Sequence, residues 1–119
     1  MTMSSNETVN QTPDETREQA WIRVMNARKE NRPQARDYIA KLFHGVFEIK
    51  GDKCMGDDEA IVTAIAWFEN CPVTVIGQQK GRTLEERMRC NFGMPNPEGY
   101  RKSIRALHQA EKFQRPVIC

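Results

Sequence analysis

The chain has 119 residues, 39% hydrophobic and 29% charged, with 18 Lys and Arg against 16 Asp and Glu for a formal charge of +2. A chain of this length forms one small domain with one core, burying roughly two-thirds of its unfolded surface. No apolar run nears the roughly 20 residues that cross a bilayer, and the Ser/Asn/Thr-rich start has neither a basic nor an apolar leader segment, so the expectation is a cytoplasmic protein rather than a membrane or secreted one.

Residues 1–13 offer almost nothing apolar to offset the entropy of ordering and are expected to be a disordered tail. Residues 14–44 form a helical lead-in. Its first helix carries Trp21, Val24 and Met25 at i, i+3 and i+4, a stripe that needs a partner surface. Asn31-Arg32-Pro33 breaks that helix and starts a second one, with Pro33 near its first position and Tyr38, Ile39, Leu42 and Phe43 facing inward.

The rest, residues 45–119, reads as an α/β core. Phe47-Glu48-Ile49 suggests a short edge strand. Gly51 to Asp58 is a turn-rich loop in which Asp52, Asp57, Asp58 and Glu59 lack the regular ligand order of a calcium loop, so the carboxylates are expected to be solvated or to cap helices. Ala60 to Phe68 and Cys71 to Ile76, joined by Glu69-Asn70, make a β-hairpin. The continuous apolar run of its second strand implies cover on both faces.

Thr83 and Glu86 form a Thr-x-x-Glu capping box for a short helix, and Asn96-Pro97 starts a longer one whose Tyr100, Ile104, Leu107 and Ala110 or Glu111 share a face. Arg115 to Cys119 reads as a buried strand, so strand, helix and strand make a crossover unit. Residues 76–105 hold seven cations, Lys80, Arg82, Arg87, Arg89, Arg101, Lys102 and Arg105, against Glu85, Glu86 and Glu98. This face permits phosphate contact with a nucleic acid, but only Phe92 and Tyr100 could stack on bases, which makes nucleic acid the lesser alternative. Cys54, Cys71, Cys90 and Cys119 have no Cys-x-x-Cys spacing and are expected to be free, mostly buried thiols, with no metal site. His44 and His108 offer no nucleophile-activating pattern and are expected on a helix surface or at a helix end.

The most specific stretch runs from Val75 to Lys102. A strand enters the loop Gly77-Gln78-Gln79-Lys80-Gly81-Arg82, and Asn91-Phe92-Gly93-Met94-Pro95, then Pro97 to Lys102, launch the long helix. Glycines let backbone N–H groups approach a ligand, and Lys and Arg supply charge, which is the pattern of an anion or cofactor site. Together with Asn31-Arg32-Pro33, Gly56-Asp57-Asp58, Pro72 to Gly77 and Arg115 to Ile118, the stretch resembles the α subunit of the carboxyltransferase of biotin-dependent acetyl-CoA carboxylase, over about five-sixths of the chain. The family usually has Arg at position 53, glycines at 63 and 64, and His at 78, where this chain has Lys53, Thr63, Ala64 and Gln78. Gln78 cannot titrate near neutral pH as His could.

The resemblance implies the N-terminal part of a crotonase-like layered domain. It also implies transfer of a carboxyl group from carboxybiotin, carried by a partner protein, to acetyl-CoA, giving malonyl-CoA for fatty acid synthesis. No cofactor would be bound directly. The implied partners are the β subunit, the biotin carboxyl carrier protein and biotin carboxylase. The family's glycine-rich oxyanion loops follow the strand matching Arg115 to Cys119, so an incomplete core with no catalytic residue of its own, inactive alone, is the expectation; an assembly fragment is a further alternative. Lys80, Gly81 and Arg82 are the candidates for contact with substrate or partner.

Overall fold

A computed structural model describes residues 13–119. The expected tail, residues 1–13, lies outside them except for Pro13, which opens the first helix. Contacts divide the chain into residues 1–32 and 33–119. The first unit contributes α1 (Pro13–Ala27), whose Trp21 and Met25 remain exposed, so the stripe at Trp21, Val24 and Met25 is not buried there.

The second unit opens with α2 (Ala35–Leu42). Gln34, not Pro33, sits at its N-cap. The reason is chemical: the Asp37 carboxylate accepts the Gln34 N–H at 2.7 Å, satisfying a donor that proline lacks. Ile39 and Phe43 are buried, while Tyr38 and Leu42 stay about half exposed.

Strands β1 (His44–Glu48), β2 (Ile61–Phe68), β3 (Cys71–Gln78) and β4 (Val117–Ile118) form one mixed sheet in that order. The first three are antiparallel neighbours, and β4 runs parallel to β3. The β2–β3 hairpin turns at Glu69, which takes φ +53°. Strand β1 starts three residues earlier than Phe47, and His44 therefore lies on an exposed strand end, whereas His108 is exposed on a helix. Strand β4 is brief, and its Val117 is exposed rather than buried.

After β3 come α3 (Leu84–Arg89), a single turn at Asn91–Gly93, and α4 (Pro97–Lys112), which closes the β3-to-β4 crossover. Register divides the hairpin into two faces. Val62, Ala66, Val73 and Val75 pack with Ile39 of α2 and Phe43 just after it, joined by Ile118 of β4. Gly77 permits this approach, because a Cβ there would stand 3.0 Å from the Ala35 Cβ.

On the opposite face lies α4, and of the residues expected to share one of its faces only Ala110 is buried. Tyr100, Ile104 and Leu107 point outward, while Gly99, Lys102, Ala106 and Ala110 are buried. Small residues win this face because they let the helix approach closely: a Cβ on Gly99 would stand 2.6 Å from Asp58 Oδ2 and 3.1 Å from Ile61 Cγ1. The cysteines are free as expected, but only Cys90 is buried, and desolvation raises its thiol pKa.

Candidate functional site

The loop leaving the carboxyl end of β3 is where an α/β sheet usually presents its ligand contacts. Its anchor is Gln34. The Gln34 carboxamide oxygen accepts the Gly81 N–H at 2.9 Å and Gln79 Nε2 at 2.8 Å, while Gln34 Nε2 donates to the Gly81 carbonyl at 3.1 Å. Gln79 Oε1 in turn accepts the Arg36 N–H at 3.2 Å. The loop is thus pinned to the start of α2 by neutral amide bonds, which are short and do not depend on salt.

Each candidate residue has a distinct place. Gly81 is buried at φ +91°, and a Cβ there would meet the Glu86 carbonyl carbon at 2.6 Å, so only glycine fits. Arg82 makes a bidentate pair with Asp37, 2.6 Å from Nη2 to Oδ2 and 3.2 Å from Nη1 to Oδ1. That pairing lowers the Asp37 pKa, the Gln34 N–H adding to the effect, and raises the Arg82 pKa. The Arg82 N–H also donates to Glu86 Oε2 at 2.8 Å, beside the Thr83–Glu86 capping box of α3. Lys80 differs. It is exposed, and among the described residues it forms no ion pair.

The floor beneath Lys80 is a strained turn. Asn91, Phe92 and Gly93 all take left-handed φ, at +46°, +55° and +78°. For Phe this costs on the order of 1–2 kcal/mol, so the turn must be over-determined by its surroundings. It is: Gly93 N–H donates to Cys90 O at 2.9 Å, Met94 N–H to Asn91 O at 3.0 Å, Asn91 Nδ2 to Met94 O at 3.0 Å, and Gln78 Nε2 to Gly93 O. Gln78 is therefore a brace here. A Cβ on Gly93 would stand 3.4 Å from the Lys80 Cβ, which places the lysine stem against the turn.

The other cations of residues 76–105 are largely matched from within. Arg101 Nε lies 2.8 Å from Asp52 Oδ2, and Asp52 Oδ1 accepts the N–H groups of Cys54, Met55 and Gly56 at 2.8–3.0 Å. The Gly56 N–H, then Arg101, hold the Asp52 pKa far below the usual carboxylate range. Lys102, 2% exposed, has three acceptors: Asp57 Oδ1 at 2.7 Å, Ile61 O at 2.6 Å and Asp58 O at 3.2 Å. Burial pushes the Asp57 pKa up, but Lys102 and the Gly51 N–H outweigh it and the net direction is down. Arg105 Nη1 donates to the carbonyls of Lys50 and Gly51.

The acidic loop is therefore not a solvated turn: Asp52 and Asp58 are buried. Among the described residues, no group of three or more His, Cys, Asp and Glu side chains is placed to hold a metal ion. The loop's role as counter-ion for α4 was missed from sequence because the pairs join residues 45–49 positions apart. The one available signal was Lys102 standing three residues from Gly99 and four from Ala106 on what becomes the small-residue face.

A family model described as acetyl co-enzyme A carboxylase carboxyltransferase-like matches residues 4–119. The chain belongs to this carboxyltransferase family. Curated relatives named acetyl-coenzyme A carboxylase carboxyl transferase subunit alpha include those of Geobacillus sp. (strain WCH70) and Anoxybacillus flavithermus (strain DSM 21510 / WK1), each 59% identical over 99 residues. That of Bacillus cereus (strain B4264) is 56% identical over 99 residues. The matches cover 83% of this chain and 30–31% of each relative, so the chain spans about a third of the length of the carboxyltransferase subunits it matches. Among the described residues no helix is long and apolar enough to cross a membrane.

Proposed function

We propose that this chain supplies the front portion of an acetyl-CoA carboxylase carboxyltransferase α subunit. The assembled enzyme transfers the carboxyl group of carboxybiotin, delivered by a biotin carboxyl carrier protein and recharged by biotin carboxylase, to acetyl-CoA bound with a β subunit. In this reading the sheet, α2 and α4 are scaffold of a crotonase-like domain, and the loop at Lys80 is the contact. The observation that carries the reading is the contrast within the loop: Gly81 is buried and Arg82 is paired with Asp37, whereas the Lys80 ammonium stands exposed and, among the described residues, unpaired on a braced turn. Such a charge meets an anionic group of a substrate, or a carboxylate of the β subunit, without first breaking an internal pair.

A nucleic-acid role loses support from the same geometry. Arg82, Arg101, Lys102 and Arg105 are engaged by acceptors of this chain, leaving few cations for a phosphate backbone.

The test is a chimera in which residues 21–119 replace the matched segment of the Geobacillus subunit. Malonyl-CoA formation is measured with β subunit, carrier protein and biotin carboxylase. Activity within about tenfold of the parent, a barrier change of about 1.4 kcal/mol or less, is expected. A chimera that assembles with the β subunit yet gives no turnover contradicts the proposal.

A further inference from the structure

Lys80 is not alone beside its loop in lacking a carboxylate. Arg87 of α3 also forms no ion pair among the described residues, and its Nε donates to the Gly81 carbonyl at 3.4 Å, which sets the guanidinium beside the residue that follows Lys80. Glu86 packs against Gly81, but its carboxylate accepts the N–H groups of Arg82 and Thr83 instead.

Phe92 stands on the neighbouring turn. The residue is 47% exposed although its backbone is held at φ +55°, a conformation that Gly or Asn would occupy at lower cost. Burial does not account for a phenyl group there, since so much of it faces water. Strain kept under an exposed aromatic side chain points instead to contact with a ligand. The turn is fixed relative to the lysine, because Gln78 Nε2 donates to the Gly93 carbonyl and the Lys80 stem lies against Gly93.

Two cations and a flat ring rising from neighbouring backbone match a ligand that has both phosphates and an aromatic base. Lys and Arg take phosphate oxygens, and a base stacks on an aromatic side chain. A carboxylate of a protein partner would use the cations and leave the ring idle. We propose that Lys80, Arg87 and Phe92 form a subsite for an adenosine phosphate, the Phe92 ring stacking on the adenine and the two cations taking the phosphates. Under the proposed function this ligand is the nucleotide end of acetyl-CoA, and a free adenine nucleotide has the same chemistry. The inference rests on the reading of Lys80 as a contact residue.

The experiment titrates the isotope-labelled chain with CoA, adenosine diphosphate and, separately, pantetheine, which lacks the nucleotide. The two nucleotides are expected to shift the amides of Lys80, Gly81, Phe92 and Gly93 in NMR spectra, with a Kd of about 1 mM or tighter. Magnetisation should also pass from the Phe92 ring to the adenine protons, and pantetheine should shift none of these amides. CoA binding at least as tightly as adenosine diphosphate assigns the subsite to the substrate, and the reverse order assigns it to a free nucleotide. Phe92→Asn, Lys80→Ala and Arg87→Gln should each weaken CoA binding about threefold or more, whereas Lys112→Gln, exposed at the end of α4, should not. No shift with either nucleotide, equal shifts with pantetheine, no transfer from ring to adenine, or equal loss in Lys112→Gln would each overturn the proposal. The chimera reports turnover and this titration reports nucleotide binding to the chain itself, so an active chimera beside a chain that binds no nucleotide overturns this inference alone.

Discussion

The loop from Gly51 to Asp58 and the loop from Gln79 to Arg82 are both polar, both bend at left-handed glycines, and both are fastened to a distant helix by ion pairs. They differ in what remains outside. The first turns its carboxylates inward, Asp52 and Asp58 buried and Asp57 held by Lys102, so that the loop and α4 neutralise one another. The second uses Gln34, Asp37 and Gly81 to hold its backbone and leaves Lys80 facing water. A cation surplus counted along the sequence thus overstates what a ligand meets, because long-range carboxylates remove most of it.

The sharpest way to break the first loop is Lys102→Met. The variant leaves the carbonyls of Asp58 and Ile61 and the Asp57 carboxylate without their shared donor, an expected loss of about 3 kcal/mol in urea unfolding. A loss under about 1 kcal/mol would show that the loop is held by other means.

Gly81→Ala attacks the second loop, since its Cβ would collide with the backbone of α3 and φ +91° strains any L side chain. A loss of about 2 kcal/mol is expected, with the slow amide exchange of the Gly81 N–H lost. At Phe92, substitution by Asn should relieve left-handed strain and stabilise by about 0.5–1 kcal/mol, because the ring is half exposed. Destabilisation instead would mean that the ring packs more tightly than its exposure indicates.

Acid weakens the carboxylate anchors of the first loop. Asp52 and Asp57 have folded-state pKa values below their ordinary ones, so the stability they contribute is fully present above about pH 5 and is lost as pH falls through the folded values. Tm should therefore drop more steeply below pH 4 in the parent than in Asp52→Asn, and parallel curves would remove Asp52 from the account. The smallest effect belongs to Arg82→Ala. That pair is about half exposed, and its loss should move Tm by about 2 °C or less.

Much of this architecture was legible from local pattern. The hairpin from Ile61 to Gln78, the Thr83–Glu86 capping box and the Pro97 start of α4 follow from apolar runs, turn residues and cap chemistry within a few positions. What failed was the facing of α4. Periodicity groups Tyr100, Ile104, Leu107 and Ala110 or Glu111 on one face but does not say which face the sheet receives; close approach over Asp58 and Ile61 selects Gly99, Lys102 and Ala106, and of the expected face only Ala110 is buried. The site was legible only in outline. Lys80, Gly81 and Arg82 stand out as a glycine-flanked basic loop, yet Gln34 and Asp37, which hold Gly81 buried and pair with Arg82, lie more than forty residues away.

The outward charge of Lys80 is the central claim, and steady-state kinetics of Lys80→Ala in the chimeric full-length subunit test it most directly. With Tm unchanged within about 1 °C, the account predicts a rise of about tenfold in KM for acetyl-CoA or for the carboxylated carrier, or an equal weakening of β-subunit association. Unchanged KM values together with unchanged assembly would contradict it.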